Sequence, residues 1–170
     1  MKRIFSTAAA AAVLVGSLMV TAPAAQAGDR LCAGTIGKVT ISDNLIVPRG
    51  KTCTLNGTVV KGNVEVRANA TLRASAVRVD GDVQAAGHRA LHTVDSFVDG
   101  NIQATQGGAS NLRRNTVNGD IQLFGNTKAG ATYVYSNRVD GNLQCKSNSP
   151  VPKGAYNKVN GNKEGQCKRF

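Results

Sequence analysis

The stretch Val79-Asp80-Gly81-Asp82-Val83-Gln84-Ala85 decides the fold of this chain, because near-copies of it recur further along. The copies are Val98-Asp99-Gly100-Asn101-Ile102-Gln103-Ala104, Val117-Asn118-Gly119-Asp120-Ile121-Gln122-Leu123 and Val139-Asp140-Gly141-Asn142-Leu143-Gln144-Cys145. The glycines at positions 62, 81, 100 and 119 are 19 residues apart, and the next two intervals are 22 and 20 residues. Such self-similarity is typical of stacked units that bury their apolar sides against one another.

Apolar columns appear when the units are aligned. Val, Ile and Leu alternate with polar residues, and no 3.6-residue period is long enough for a helix. The columns contain Ile41, Val60, Val79, Val98, Val117, Val139 and Val159; Leu45, Val64, Val83, Ile102, Ile121 and Leu143; Val47, Val66, Ala85, Ala104, Leu123 and Cys145; and a fourth, Cys53, Leu72 and Leu91, that then loses register. We predict an all-β, single-domain parallel β-helix, a solenoid of about seven coils with about 19 residues per coil. Its winding should be right-handed, as in most parallel crossovers.

Turn dipeptides lie at one corner of each coil. In Lys61-Gly62, Asp80-Gly81 and the later copies, we expect glycine to supply a positive φ, since it has no Cβ. Asp43 takes this place in the first unit. The residue that follows is always Asn or Asp. Stacked strands are about 4.8 Å apart, so these side chains should bond to one another or to the corner backbone.

Residues 1–27 have the pattern of a secretory signal peptide. Met1-Lys2-Arg3 is basic, an apolar run extends from Ile4 to Val20, and Ala25-Gln26-Ala27 is a small-x-small cleavage site. The alternative is a transmembrane anchor, but this run is shorter than the roughly 20 apolar residues that a membrane span needs. We predict that the signal peptide is removed and that residues 28–170 form the β-helix domain. The mature chain is then secreted, extracellular or associated with the cell wall, with no membrane span.

Four cysteines follow the cleavage site, which is typical of two disulfides formed in an oxidising compartment. Cys32 and Cys53 are 21 residues apart, and Cys145 and Cys167 are 22 apart, each about one coil. Cα atoms one coil apart should be separated by about 4.8 Å, which a disulfide accepts, whereas Cys53 and Cys145 would be about 24 Å apart. We therefore predict the pairs Cys32–Cys53 and Cys145–Cys167, which cap the two ends of the solenoid.

The chain is basic, with 21 Lys and Arg against 10 Asp and Glu and a formal net charge of +11. This balance favours an anionic partner, such as a cell-wall polymer or acidic polysaccharide, although solubility alone is the alternative. The chain has no Trp and few aromatic residues among its charges, which argues against specific nucleic-acid binding. Arg78, Arg138 and Lys158 share one outer column and are our candidate binding residues.

Asp80, Asp82 and Asp99 form the candidate site for chemistry. Acidic residues stacked at one corner suit a Ca²⁺ site, or an acid and base pair acting on polysaccharide. Turn formation already explains each of them, so we predict no metal, no cofactor and no catalytic residue. His88 and His92 lie in a strand-and-turn segment without a third ligand, and we expect both in exposed loops.

Two regions depart from the repeat. Residues 125–137 carry the three extra residues of the 22-residue unit, together with Tyr133 and Tyr135. An insertion in a solenoid bulges outward, which makes this region a candidate binding loop, but we favour tyrosines that line the core. Lys163 takes an inward apolar position in the last unit, which predicts a terminal cap coil.

The repeated Val-x-Gly-Asn/Asp-Val unit resembles that of the bactofilins, β-helical proteins that polymerise end to end. This resemblance covers the repeat region and implies a solenoid that self-associates through its coil ends. The chain departs from bactofilins in its export signal and two terminal disulfides. The whole chain, including the ending Asn162-Lys163-Glu164-Gly165-Gln166-Cys167, is similar to small secreted β-helix repeat proteins of actinobacteria, a resemblance that carries no known activity.

Our leading hypothesis is a secreted, non-catalytic structural or adhesive module of the cell surface or extracellular space that binds anionic polymers. The alternative is a small polysaccharide-active enzyme, a lyase or hydrolase that uses Asp80, Asp82 and Asp99. A further alternative is a self-assembling scaffold similar to the bactofilins.

Overall fold

Short strands make up the regular structure of the chain. A computed structural model describes residues 28–170, and the predicted signal peptide, residues 1–27, lies outside them. No helix of the described residues is long and apolar enough to cross a membrane. In chain order the strands are β1 (Arg30–Leu31), β2 (Gly34–Ile36), β3 (Thr40–Ile41), β4 (Leu45–Val47), β5 (Thr52–Asn56), β6 (Val59–Val60), β7 (Val64–Val66), β8 (Thr71–Ser75), β9 (Arg78–Val79), β10 (Val83–Ala86), β11 (Ala90–Val94), β12 (Phe97–Val98), β13 (Ile102–Thr105), β14 (Ala109–Arg113), β15 (Thr116–Val117), β16 (Ile121–Phe124), β17 (Thr132–Tyr135), β18 (Arg138–Val139), β19 (Leu143–Lys146), β20 (Lys153–Ala155), β21 (Lys158–Val159) and β22 (Lys163–Gly165).

Three parallel sheets run the length of the solenoid. Sheet 1 has eight strands, in the order β1-β4-β7-β10-β13-β16-β19-β22, so each neighbour lies one coil further along the chain. Sheets 2 and 3 have seven strands each, which start at β2 and β3 and continue with every third strand. We name the connections corner 1–2, corner 2–3 and corner 3–1 after the sheets that they join. The predicted parallel β-solenoid, with about seven turns of about 19 residues, is confirmed.

The strands turn alternate side chains inward and form one continuous core. The predicted columns line sheets 1 and 3; Val83 and Ile102, for example, are paired in register and at most 2% exposed. The fourth column keeps its register, contrary to our expectation. In sheet 2, Leu91 pairs with Ser110 and Ser110 with Thr132, and all three are buried. Polar residues take these inward places in the later coils, where the sequence shows no apolar pattern.

Corner 3–1 carries the repeated glycines, which are needed for a reason other than the predicted one. Its six glycines all lie outside the positive-φ region; they are Gly62, Gly81, Gly100, Gly119, Gly141 and Gly161. A Cβ on Gly100 would overlap Asp82 Oδ1 of the preceding coil and lie 2.9 Å from the Gly81 carbonyl oxygen. That Oδ1 accepts a hydrogen bond from the Asn101 backbone N–H at 2.7 Å, and the same bond repeats along the column. Close approach of the coils therefore selects glycine here.

Corner 2–3 is filled by a column of buried polar side chains. Asn115 Nδ2 donates to the Thr93 carbonyl oxygen at 2.8 Å and to Asn137 Oδ1 at 3.0 Å. Asn115 Oδ1 accepts a hydrogen bond from the Ser96 backbone N–H at 3.1 Å. A second ladder of this type runs along corner 1–2. Every buried side-chain nitrogen and oxygen of residues 28–170 has a hydrogen-bond partner, so hydrogen bonds offset the desolvation of the ladders.

Both predicted disulfides are present, with Cα–Cα distances of 5.5 Å for Cys32–Cys53 and 5.3 Å for Cys145–Cys167. The pairing is confirmed, but the paired cysteines are not stacked in one column as we assumed. In sheet 2, Cys53 pairs with Gly34, which lies two residues after Cys32. In each bridge, one cysteine lies in a strand and the other follows a sheet 1 strand of the adjacent coil, and the bond between them crosses the interior. Two disulfides indicate an oxidising compartment.

The C-terminal end of the solenoid is closed by the last residues of the chain. Lys163 pairs with Leu143 at the edge of sheet 1, as the predicted cap coil requires. Cys167 is fully buried, and Phe170 packs beside Gly154 against the core. The disulfide and the aromatic side chain thus cover the end of the apolar interior.

Removing the C-terminal bridge should destabilise the protein. We expect Cys145→Ala/Cys167→Ala to lower the free energy of unfolding by about 3 kcal/mol, because the bridge restricts the unfolded chain over about one coil. Urea unfolding of the variant and the wild type measures this difference. A reductant, which breaks both bridges, should lower the urea midpoint of the wild type at least as far as the double substitution does. A variant with the same urea midpoint as the wild type would show that the last coil stays folded without the bridge.

Candidate anion-binding site

Charge is segregated around the solenoid. Of the 10 acidic side chains in residues 28–170, six lie at corner 3–1, whereas sheet 2 and corner 1–2 contain none. Sheet 2 and corner 1–2 carry eight basic side chains: Arg49, Lys51, Arg67, Arg73, Arg89, Arg113, Lys128 and Lys153. Arg67 is the only one of these eight in an ion pair within the described residues, with Glu65 at 2.9 Å. The surface formed by sheet 2 and corner 1–2, which we call the basic face, is therefore a continuous region of one sign of charge.

Sheet 2 presents outward columns on the basic face, because alternate residues of each strand point away from the core, and two of these columns form the site. The first column contains Thr54, Arg73, His92, Asn111, Tyr133 and Lys153, and the second contains Asn56, Ser75, Val94, Arg113, Tyr135 and Ala155. Parallel pairing in register places one residue per coil in each column, about 4.8 Å from the next. A ligand lying along the solenoid axis would meet these side chains in succession.

A shallow trough of about 300 Å³ lies along the first coils of these columns. Its lining consists of Thr54, Asn56, Arg73, Ala74, Ser75, His92, Val94 and Asn111. Ala74 lies between the two columns, is only 6% exposed and packs into the core, so only its backbone faces the trough. The trough therefore combines one permanent cation, Arg73, with hydroxyl, amide and imidazole groups that both donate and accept hydrogen bonds.

His92 contributes a neutral imidazole to the trough. Burial lowers its pKa below the ordinary value, and the positive charge of Arg73 on the adjacent strand β8 lowers it further. At pH 7 the ring therefore offers one N–H donor and one nitrogen acceptor. His92 is partly buried in β11, which corrects the expectation of an exposed loop histidine.

Tyr133 and Tyr135 extend the columns beyond the trough. Both point outward from β17 and are partly exposed, while Thr132 and Val134 between them point inward. The expectation that these tyrosines line the core is therefore wrong. Their ring centroids are 6.4 Å apart, and the Arg113 guanidinium lies 5.8 Å from one ring and 5.4 Å from the other. The two rings and the cation form an aromatic platform on the basic face.

The insertion itself folds back over corner 1–2. Lys128 Nζ donates to the Gly87 carbonyl oxygen at 2.7 Å, and the Lys128 backbone N–H donates to the Gly107 carbonyl oxygen at 3.0 Å. The three extra residues thus lie along the preceding coils and add a cation to the basic face. They do not carry the tyrosines, which belong to the sheet.

Arg78, Arg138 and Lys158 share the outward column of sheet 3, as predicted. Arg78 forms an ion pair with Asp80 at 2.8 Å and lies 4.4 Å from the centre of the Phe97 ring. The adjoining corner 3–1 carries most of the acidic side chains, which oppose an approaching anion. This column is consequently less suited to anion binding than the basic face.

The carboxylates of Asp80, Asp82 and Asp99 are each engaged by neighbouring groups. Lys61 Nζ lies 2.9 Å from Asp80, and this hydrogen-bonded pair, assisted by Arg78, holds the pKa of Asp80 below its ordinary value. Asp82 accepts the corner hydrogen bond, and Asp99 accepts one from an asparagine amide one coil later at 2.6 Å. Among residues 28–170, no three His, Cys, Asp or Glu side chains form a group that could hold a metal ion. Calcium binding and catalysis at this corner stay alternatives that the geometry does not favour.

His88 has a structural role. It is fully buried, contrary to the exposed position we expected, and burial lowers its pKa. Its Nδ1 lies 3.2 Å from the Ala85 carbonyl oxygen and its Nε2 lies 3.3 Å from Ser110 Oγ. Gly107 makes room for the ring, because a Cβ at that position would overlap the imidazole. The pair His88 and Gly107 thus packs two coils together at corner 1–2.

Sequence reasoning missed Arg73, Asn111 and Arg113, which are central to the basic face. Their two columns were hidden because inward Ser110 and Thr132 interrupt the apolar pattern of sheet 2. Polar residues alternate with apolar ones in Arg73-Ala74-Ser75 and Asn111-Leu112-Arg113, and this alternation was the signal that could have found them. 

No protein-family model, no curated protein and no solved structure matches this chain. What the protein does must therefore be inferred from the chemistry of the basic face.

Proposed function

We propose that this protein is a secreted, non-catalytic module of the cell surface or extracellular space that binds an anionic polymer along the basic face. The observation that carries the proposal is the segregation of charge: among residues 28–170, eight basic and no acidic side chains lie on sheet 2 and corner 1–2. A continuous region of one sign attracts an oppositely charged polymer over a long range and raises its local concentration.

The repeated architecture suits a polymer better than a small anion. A single exposed ion pair contributes only about 0 to 1 kcal/mol, so useful affinity requires several pairs at once. The coils place basic side chains at successive levels of the solenoid, and a chain of anionic groups lying along the axis contacts many of them. A location at the cell surface suits this chemistry, since anionic polymers are abundant there.

The rigid framework also supports this role. The coils are joined by continuous ladders of backbone pairs, and both ends are tied by disulfides. A surface that is already ordered loses little conformational entropy when it binds. Two disulfides also suit a protein that works in an oxidising compartment.

Charge reversal on the basic face should weaken binding to heparin, used as a sulfated polyanion probe. We expect Arg73→Glu/Arg113→Glu to lower the affinity by at least about tenfold, because two attractions become repulsions. The control Arg138→Glu/Lys158→Glu changes the net charge equally on sheet 3 and should lose no more than about threefold. Wild-type binding should weaken as ionic strength rises from about 0.1 M to about 1 M, which shortens the screening length from about 10 Å to about 3 Å. Equal losses in the two variants, or binding that does not change with salt, would contradict the proposal.

A further inference from the structure

We infer that the anionic polymer is an acidic polysaccharide that lies along sheet 2, with a sugar ring on the Tyr133 and Tyr135 platform and a carboxylate of another sugar at Arg73 in the trough. This inference rests on the proposed function and narrows its ligand from any polyanion to a carboxylate-bearing glycan. Net charge alone does not imply these two positions, a sugar ring on the tyrosines and a carboxylate at Arg73.

The spacing of the columns suits a glycan chain. Arg73, His92, Asn111 and Tyr133 occupy successive coils of one column. Successive coils are about 4.8 Å apart, so the Arg73 level and the Tyr133 level are separated by about 14 Å. An extended chain of 1,4-linked pyranose rings advances by a similar distance per ring as the solenoid does per coil. Each sugar can therefore meet the same two columns one coil further along.

The trough has the hydrogen-bonding groups that sugars require. Most of its polar lining is neutral, with hydroxyls, amides and the imidazole of His92, and each such group can both donate and accept. Sugar hydroxyls also donate and accept, so they satisfy these groups in pairs. Phosphate oxygens at neutral pH mainly accept, and a polyphosphate would leave the acceptors of the trough without donors. The Arg73 guanidinium supplies the fork that a carboxylate fits.

The aromatic platform gives a place for the apolar face of a sugar ring. The rings of Tyr133 and Tyr135 are tilted by 31° and point outward from the sheet. Aromatic side chains with a polar tip suit ligands that are partly apolar and partly polar. Arg113 lies beside both rings, and its Nε donates to Asn111 Oδ1 at 2.7 Å. This hydrogen bond holds the guanidinium next to the place that the carboxylate of a stacked sugar would take.

The test compares polygalacturonate with polyphosphate of matched charge, both titrated against the disulfide-bonded protein. Wild type should bind polygalacturonate at least about tenfold more tightly. Tyr133→Ala/Tyr135→Ala should reduce polygalacturonate affinity by at least about tenfold and change polyphosphate affinity by less than about twofold. Tyr156→Ala, which removes an 83% exposed tyrosine at corner 2–3, is the control and should change neither affinity.

A second readout does not depend on truncated side chains. The chain has no Trp and three Tyr, so tyrosine emission reports directly on the platform. Polygalacturonate should change the emission of the wild type and of Tyr156→Phe, and should change it much less in Tyr133→Phe/Tyr135→Phe.

The outcomes separate this inference from the proposed function. Salt-sensitive polyphosphate binding, with polygalacturonate binding that is no tighter or that is unaffected by loss of both tyrosines, would overturn the inference alone. Absence of any salt-sensitive polyanion binding by the wild type would overturn the proposed function as well.

Discussion

Asn115→Asp should lower the free energy of unfolding by about 4 kcal/mol at pH 7, because it buries a carboxylate with too few hydrogen-bond donors around it. The Asn115 side chain is 1% exposed, and its Nδ2 donates to the Thr93 carbonyl oxygen and to Asn137 Oδ1. A carboxylate in the same position would set an oxygen against those two acceptors. The hydrogen bond from the Ser96 backbone N–H would remain, and the Thr93 hydroxyl, 3.2 Å from Asn115 Nδ2, is the one other neighbouring donor among the described residues. For a chain of this size, such a loss lowers the melting temperature by roughly 10 to 15 °C.

The effect of this substitution should also depend on pH in a defined direction. Burial raises the pKa of the introduced carboxyl in the folded state above its value in the unfolded state. The folded state then binds more protons between these two pKa values, so stability falls as the pH rises through that interval. The loss should be smallest at pH 3, where both states are protonated, and largest at neutral pH. Thermal unfolding at a series of pH values measures this profile.

The control for this experiment is the exposed Asn162→Asp, which makes the same chemical change at the end of the corner column. We expect a change of less than about 0.5 kcal/mol. Equal melting temperatures for the two variants would show that the buried asparagine ladder does not hold the coils together.

Gly100→Ala should destabilise the protein by about 4 kcal/mol, which combines overpacking with the loss of a hydrogen bond. The new Cβ would overlap Asp82 Oδ1 and lie 2.9 Å from the Gly81 carbonyl oxygen, which belongs to the backbone and cannot move aside. Displacing Oδ1 would break its hydrogen bond to the Asn101 backbone N–H. Chemical denaturation of wild type and variant gives the difference in free energy.

Asparagine distinguishes the two explanations for this glycine. If a positive φ were the reason, Gly100→Asn would be tolerated, since Asn accepts the left-handed region. Under close packing, Gly100→Asn should be at least as harmful as Gly100→Ala. Gly87 has a φ of +62° and its nearest contact with an added Cβ would be 3.5 Å, so Gly87→Asn should cost less than about 1 kcal/mol. Equal effects of Asn at the two positions would contradict the packing explanation.

The solenoid could be predicted from the sequence because its period is strict. Residues such as Val83 and Ile102 recur at one interval, and stacking is the arrangement that buries all of them together. The disulfide partners followed from the same period. The physical reasons were less accessible, since both the clash that selects Gly100 and the offset of Cys32 from Gly34 depend on contacts between coils.

The candidate site was largely hidden from sequence reasoning. Arg73 and Arg113 are 40 residues apart in the chain, and only the winding of the coils places them on one face. The excess of basic residues was visible in the sequence as a net positive charge, but the segregation of these residues onto one face was not. Burial of His88 likewise depends on Gly107, a residue one coil away whose missing side chain leaves space for the ring.

Hydroxyl-radical footprinting of the wild-type protein tests most directly whether the basic face is the binding surface. Polygalacturonate should protect Tyr133, Tyr135 and His92 on sheet 2 from oxidation and leave Phe97 on sheet 3 unprotected. Protection of Phe97, with the sheet 2 residues still oxidised at the rate seen without the polymer, would contradict the account.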